Sequence, residues 1–151
     1  MSPSVLLITH DALLAKAYAA RLRRADMRVA HGATAYEGLA MARHDPPSLI
    51  MLDLTLPGLH GLDVLKWLRD VPWLSQVPVI VLAERAMRGD VLDECRFWGA
   101  THILRKDEAP MAGLVELARD VLAHAPVPEP DQDSDGAPAP EPDSEPSETA
   151  A

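Results

Sequence analysis

The chain alternates short apolar runs with longer segments of helical periodicity, and this alternation limits what it can fold into more than any other feature. Residues 5–8, 49–52 and 79–82 are continuous apolar runs without a single polar side chain. A strand that is apolar on both faces is typical of the middle of a parallel sheet that helices cover on both sides. These three runs therefore predict three central strands.

Weaker patterns complete the alternation. Two shorter strands are predicted at residues 28–30 and 102–104. Apolar residues at helical spacing follow each of the five strands, and Pro or Gly ends several of these segments. Five β–α units within about 120 residues predict an α/β fold, a doubly wound (βα)5 parallel sheet with helices on both faces. The predicted helices lie around residues 13–22, 35–43, 62–68, 91–98 and 111–122.

Charge and proline content divide the chain into two parts. All 14 Lys and Arg and 15 of the 23 Asp and Glu precede residue 126, whereas residues 126–151 hold eight acids, no base and seven of the 14 prolines. That composition has almost no apolar side chain to bury, so it cannot offset the entropy of ordering. We predict a folded domain over residues 1–124 and a disordered, acidic, Pro-rich tail over residues 125–151. A solubilising role is expected for the tail, with a specific interaction segment as the alternative.

Several classes of protein do not fit this composition. The folded part is nearly neutral and has no stripe of basic residues, so nucleic acid is not an expected partner. No apolar run approaches the ~20 residues of a membrane span. Asp11 interrupts the apolar N-terminal stretch, whereas the apolar region of a signal peptide is uninterrupted. The single Cys95 cannot form an internal disulfide. These absences lead us to expect a cytoplasmic protein that does not bind membranes.

Ligands of an open parallel sheet bind beyond the carboxyl ends of its strands, so the residues that follow each apolar run are the first candidates for a site. An acid after the first strand, Asp11, an acid after the third, Asp53, and a base after the fifth, Lys106, would then share one polar pocket. The other residues at these positions are Thr9, His10, Ala83, Glu84 and Arg105.

Residues 4–123 resemble the response-regulator receiver (CheY-like) family of two-component signalling. The most specific match is the segment over residues 47–63, PSLIMLDLTLPGLHGLD, which is similar to the family's phosphoacceptor strand and the loop after it. Residues 77–82, VPVIVL, resemble its fourth strand, and residues 98–100 followed by Lys106 resemble the approach to its fifth strand. The resemblance implies a flavodoxin-like sheet with the strand order 2-1-3-4-5.

The resemblance also implies a set of roles. Asp53 would accept a phosphoryl group from a histidine kinase, and Lys106 would pair with that group. Mg²⁺ would be held by an acidic pair after the first strand, by Asp53 and by the backbone carbonyl of Thr55. Neutralising charge on the phosphoryl oxygens and positioning the nucleophile in line are what phosphoryl transfer requires, and Mg²⁺ prefers hard oxygen ligands.

The chain departs from the family pattern at several of these positions. Thr9 and His10 correspond to the acidic pair and Asp11 to the residue after it, although a shift of one residue would bring Asp11 into the pair. Such a shift worsens the match of the first helix, and either way at least one acid is missing. His10 is a softer ligand than Mg²⁺ prefers. The remaining changes are Ala83 for the family's Thr or Ser, Ile103 for its switch aromatic, and Asp107 for the Pro after the Lys.

These departures leave three hypotheses open. The first is a stand-alone, degenerate receiver that binds Mg²⁺ poorly, pairs Asp53 with Lys106 and acts through protein contacts. The second is a fully phosphorylatable receiver that uses Asp11 as the metal acid. The third is an enzyme on a flavodoxin-like scaffold. Such an enzyme would be expected to have a phosphate-cradling loop after the first strand or a nucleophile elbow, and the sequence has neither motif. We favour a non-enzymatic module whose partners are a histidine kinase, a downstream signalling protein or a second copy, bound through the fourth helix, fifth strand and fifth helix.

Overall fold

A five-stranded parallel sheet forms the centre of the computed structural model, which describes residues 2–58, 60–84, 86–106 and 111–124. The strand order is β2-β1-β3-β4-β5, as the resemblance implied, so the three fully apolar runs occupy the three central positions. The strands are β1 (Ser4–Ile8), β2 (Arg28–Gly32), β3 (Leu49–Asp53), β4 (Val79–Ala83) and β5 (His102–Arg105).

Five helices cover the two faces of the sheet. One face packs against α1 and α5, and the other packs against α2, α3 and α4. The helices are α1 (Ala12–Arg24), α2 (Ala35–His44), α3 (Gly61–Asp70), α4 (Gly89–Phe97) and α5 (Met111–His124). The predicted doubly wound (βα)5 fold is therefore confirmed.

The central strand β3 shows why both faces need helices. Its five residues are all buried, with Leu49 and Met51 in one apolar cluster and Ile50 and Leu52 in the other. Successive side chains of a strand point to opposite faces, so a continuous apolar run places apolar side chains in both cores. The edge strand β2 alternates instead, with exposed residues at every second position over most of its length.

Short polar side chains start three of the helices. The carboxylate of Asp11 accepts a hydrogen bond from the Leu14 amide at the start of α1, and the hydroxyl of Thr34 accepts one from the Glu37 amide at the start of α2. His60 accepts from the Leu62 amide at the start of α3. Each cap satisfies one of the amides that a first helical turn leaves without a partner.

The register of the strands brings the polar strand ends together at one edge. Ile8 pairs with Leu52, so the next residues along β1 and β3, Thr9 and Asp53, lie side by side. Asp53 pairs in turn with Leu82, and β5 lies on the far side of β4. A lysine after β5 must therefore span β4 to reach Asp53.

Some predictions fall outside the described residues. These are the tail over residues 125–151, with the domain boundary that precedes it, and Asp107, and they stay predictions. Among the helices that the structure does describe, none has the length and apolarity that crossing a bilayer requires.

The approach of α3 to the end of β3 depends on a glycine. A Cβ at Gly61 would lie 2.5 Å from the Cα of Leu54, a backbone atom that cannot move aside, whereas a Cβ at Gly89 would meet nothing within 4 Å. We expect Gly61→Ala to lower the free energy of unfolding by about 2 kcal/mol through overpacking. Gly89→Ala, the matched control, should stay within about 0.5 kcal/mol of the parent. Urea unfolding followed by circular dichroism measures both, and equal stabilities would contradict the close approach.

Candidate functional site

The carboxylate of Asp53 is fully buried at the carboxyl edge of the sheet and is surrounded by hydrogen-bond donors. Its Oδ1 accepts from the backbone amide of Thr55 at 2.9 Å and from the Thr55 hydroxyl at 2.6 Å. Its Oδ2 accepts from the Thr9 hydroxyl at 2.7 Å. The ammonium of Lys106 lies 3.2 Å from both oxygens. Both oxygens of Asp53 therefore accept hydrogen bonds from protein donors.

Lys106 crosses β4 to reach this carboxylate, and its backbone is anchored there. Its amide donates to the Ala83 carbonyl at 2.9 Å, which continues the pairing of β5 with β4 for one more residue. Its Nζ also donates to the Thr55 hydroxyl at 3.1 Å and lies 3.8 Å from a carboxylate oxygen of Glu84. The Lys106 side chain is only 16% exposed, so its ammonium interacts mainly with groups of the protein and little with water.

Thr9 is held as firmly as the carboxylate that it contacts. The side chain is fully buried, and its hydroxyl accepts from the Asp11 amide at 3.1 Å while it donates to Asp53. Its own amide donates to the Gly32 carbonyl, and its carbonyl lies 2.8 Å from Nε2 of His31 on β2. Accepting a hydrogen bond from Asp11 leaves the Thr9 hydroxyl proton directed at Asp53.

These contacts keep Asp53 ionised. Burial opposes ionisation, but the hydrogen bonds from Thr55, then the one from Thr9, and then the charge of Lys106 together outweigh it and lower the pKa of Asp53 below its ordinary value. Hydrogen bonds to the charged form of an acid favour that form. The carboxylate is thus a permanent anion at neutral pH.

The charge of Asp53 also affects the pKa of a buried tyrosine on α1, Tyr18. Burial raises the pKa of Tyr18, and the negative charge of Asp53 raises it further. A neutral phenol is the form that tolerates both a low-dielectric surrounding and a nearby carboxylate.

Asp11 does not share the pocket, contrary to the prediction. Its carboxylate caps α1 by accepting from the Leu14 amide, and the residue is exposed. The position after β1 that reaches Asp53 is Thr9, because Thr9 directly follows the last paired residue of the strand. His10 is exposed as well, and none of the contacts of Asp53 described above involves it.

The other predicted positions lie around the site without adding a polar group to it. Ala83 is fully buried at the end of β4 and presents a methyl group. Ile103 on β5 is half-buried against the apolar cluster of α2, α3 and α4. Thr55, expected to contribute its carbonyl to a metal, contributes its amide and hydroxyl to Asp53.

The donor set around Asp53 does not fit a magnesium ion. Mg²⁺ requires oxygen ligands in octahedral array and is held in proteins by carboxylates. Here both Asp53 oxygens already accept from N–H and O–H groups, and the neighbouring charge is the cation Lys106. In the described part of the chain, no three His, Cys, Asp or Glu side chains are grouped so that they could hold a metal ion.

Three residues of this site were missed or misjudged from the sequence. The resemblance gives Thr9 only as the position of a missing acid, whereas its hydroxyl is a donor for the neighbouring Asp53. His31 was missed because β2 extends two residues beyond the predicted strand. In the sequence, Tyr18 is recognisable only as one of the apolar positions of the first helix, and it is indeed buried there.

The sequence of this chain is similar to a known protein family and to characterised members of it. Residues 5–118 match the family model of the response regulator receiver domain. The chain is also 33% identical over 90 residues to the polar-differentiation response regulators DivK of Brucella ovis and Brucella suis, a match that covers 60% of this chain and 73% of each relative.

Solved structures share the fold. A CheY-like receiver domain protein from Methanospirillum hungatei is 20% identical, with a TM-score of 0.75 over 82% of this chain and 95% of that one. The signal receiver domain of a putative Luxo repressor protein from Vibrio parahaemolyticus is 26% identical, with a TM-score of 0.72 over 82% of this chain and 92% of that one. The first of these likenesses supports the fold alone.

The Thr9 hydroxyl can be tested through stability. We expect Thr9→Val to lower the free energy of unfolding by about 2 kcal/mol at pH 7, because a buried carboxylate loses a donor. A lowered carboxyl pKa stabilises the fold above the unfolded value and ceases to do so as pH falls through the folded value. The difference from the parent should therefore narrow below about pH 4.

Urea unfolding at a series of pH values measures this difference. Thr101→Val is the matched control, because Thr101 is exposed. It should leave stability within about 0.5 kcal/mol at every pH. A Thr9→Val variant as stable as this control at pH 7 would contradict the role of the hydroxyl.

Proposed function

Because the chain belongs to the response regulator receiver domain family of two-component signalling, we propose that it is a signalling module whose phosphorylation site has been converted into a permanent ion pair. The observation that carries the proposal is the saturation of Asp53 by Thr9, Thr55 and Lys106. In this proposal the module signals through protein contacts, without requiring a phosphoryl group on Asp53.

The state of the nucleophile supports this. Attack on a phosphoryl group needs a carboxylate lone pair aimed at phosphorus, in line with the leaving group. The oxygens of Asp53 are committed to donors at 2.6–3.2 Å, and freeing one of them would leave a buried donor such as the Thr9 hydroxyl without its acceptor. Losing a buried hydrogen bond to a charged group costs about 1.5–3 kcal/mol. That cost would add to the barrier of phosphoryl transfer.

The groups that would stabilise a transferred phosphoryl are also reduced. Ala83 supplies a methyl where the family has a hydroxyl, and Lys106 is already paired with Asp53 and close to Glu84. Electrostatic stabilisation of the developing charge is usually the largest catalytic contribution in such a reaction. We infer that phosphorylation of this chain is slow or absent.

The second candidate is a receiver that is phosphorylated on Asp53, and one observation favours it. Asp53 is ionised at the end of the central strand with a lysine beside it, which is the minimum that a carboxylate nucleophile and its product need. Phosphorylation would then have to displace the Thr9 and Lys106 contacts.

The contact surface that we propose comprises α4, β5 and α5. Strand β5 is at the edge of the sheet, and Phe97 at the end of α4 is 80% exposed. Exposed aromatic side chains are enriched in interface cores. The partners that we propose are a histidine kinase, a downstream signalling protein or a second copy of the chain.

Acetyl phosphate distinguishes the two candidates. We expect intact-mass spectrometry of the full chain, incubated with acetyl phosphate and Mg²⁺, to show no phosphorylated species. A stoichiometric mass increase that Asp53→Asn abolishes would overturn the proposal and establish the second candidate.

A designed gain of metal binding tests the same idea from the opposite side. Thr9→Asp places a second carboxylate beside Asp53, where like charges destabilise the fold until a divalent cation binds between them. We expect Mg²⁺ to raise the Tm of this variant by about 4 °C for each kcal/mol of binding free energy, and to leave the parent Tm unchanged.

Differential scanning calorimetry with and without millimolar Mg²⁺ provides the measurement. Thr101→Asp adds the same charge at an exposed position and serves as the control for non-specific effects of the ion. A parent protein whose Tm rises with Mg²⁺ would show that the native residues already hold the ion, contrary to the proposal.

A further inference from the structure

An open groove lies at the amino edge of the sheet, on the opposite side of the molecule from Asp53. It has a volume of about 610 Å³ and lies between the last turns of α4 and α5 and the starts of β4 and β5. Phe97, Trp98, His102, Val121 and His124 are among its lining residues. Neither Asp53 nor the groups that contact it line this groove, although Phe97 also belongs to the contact surface of α4, β5 and α5 proposed above.

An aromatic pair forms one wall of the groove. The rings of Phe97 and Trp98 meet edge to face, with centroids 5.7 Å apart and planes at 84°. Phe97 nevertheless remains 80% exposed, so its faces are free for another contact. Such an exposed aromatic surface suits packing against the apolar ring of a proline.

Positive charge lies beside the aromatic pair, from Lys66 next to Trp98 and from Arg69, which lines the groove. The Lys66 ammonium lies 5.7 Å from the centroid of the Trp98 ring. The half-buried Arg69 guanidinium donates to the carbonyls of Ser75, Val77, Trp98 and Gly99, so it offers a tail carboxylate its charge and one N–H group. No ion pair to a carboxylate neutralises that charge in the described part of the chain. The acid at the groove is Asp120, which lies 3.4 Å from His124.

The chain itself contains a segment of matching chemistry. Residues 125–131 read APVPEPD and residues 137–143 read APAPEPD, two copies of one heptapeptide that differ only at the third position. Each copy has prolines at its second, fourth and sixth positions and acids at its fifth and seventh positions. The first copy begins directly after His124, a lining residue of the groove.

We propose that the tail over residues 125–143 binds in this groove of its own domain, with prolines of the APxPEPD repeat against Phe97 and Trp98 and its carboxylates toward Lys66 and Arg69. Extended proline-rich segments bind aromatic-lined grooves because their backbone is ordered before binding and loses little entropy. The short connection gives the tail an effective concentration of about millimolar, so a weak contact suffices. Either copy of the repeat can supply the contact.

Paramagnetic relaxation in the full chain tests the proposal. A nitroxide is attached to a Ser134→Cys variant, between the two copies of the repeat, while the native Cys95 is fully buried and the parent chain is carried through labelling as a check. We expect the Trp98 indole and His102 amide signals to lose several times more intensity than Gly32, which lies at the opposite edge of the sheet.

Two variants distinguish a groove contact from general proximity of the tail. Phe97→Ala should reduce the excess broadening at Trp98 severalfold, whereas Tyr36→Ala, which removes another exposed aromatic on α2, should leave it unchanged. Replacing Glu129, Asp131, Glu141 and Asp143 by their amides should weaken it, as should raising the salt concentration from about 0.05 to 0.5 M.

Two results would overturn the proposal. One is broadening that is equal at both edges of the sheet and indifferent to Phe97→Ala. The other is broadening that appears only when the nitroxide is attached to a second chain that lacks the isotope label. That result would identify a neighbouring copy as the source of the tail. Neither result depends on whether Asp53 is phosphorylated, so the two proposals fail separately.

Discussion

The burial of one carboxylate determines how the carboxyl edge of this sheet is built. Removing a charge from water costs several kcal/mol unless hydrogen bonds and an opposite charge replace the lost hydration. Asp53 receives that replacement from the residue after β1, the loop after β3 and the residue after β5. Because each donor comes from a different segment, the carboxylate adds side-chain contacts among three parts of the chain that the sheet joins only through its backbone.

The replacement of an acid by a hydroxyl at Thr9 changes the chemistry of the site. An acid there would add negative charge and create a need for a cation, whereas a hydroxyl donates a proton and removes that need. Lys106 lies 3.2 Å from both oxygens of Asp53 and supplies the counter-charge. On the proposal made above, the receiver fold keeps its carboxylate in position while Thr9, Thr55 and Lys106 hold it in one state.

Strong local patterns made the fold predictable, and local competition made the site less so. The runs over 5–8, 49–52 and 79–82 are too short for helices and apolar on both faces, which favours doubly covered strands, and Asp53 follows from where the second of them ends. Lys106 follows from the end of the weaker fifth strand. Asp11 was misassigned because an Asp before a helix can equally cap it, and the cap is what the structure shows. His31 was missed because an exposed edge strand leaves only a weak pattern at its end.

The most direct test of this account is the ionisation of Asp53 in the absence of any divalent cation. Its side-chain carboxyl carbon can be followed by ¹³C NMR through an acid titration of the chelator-treated protein. We predict a pKa below the ordinary aspartate value of about 3.9, because Thr9, Thr55 and Lys106 together favour the anion. A pKa at or above that value without metal would show that the protein donors do not compensate burial, and would contradict the central claim.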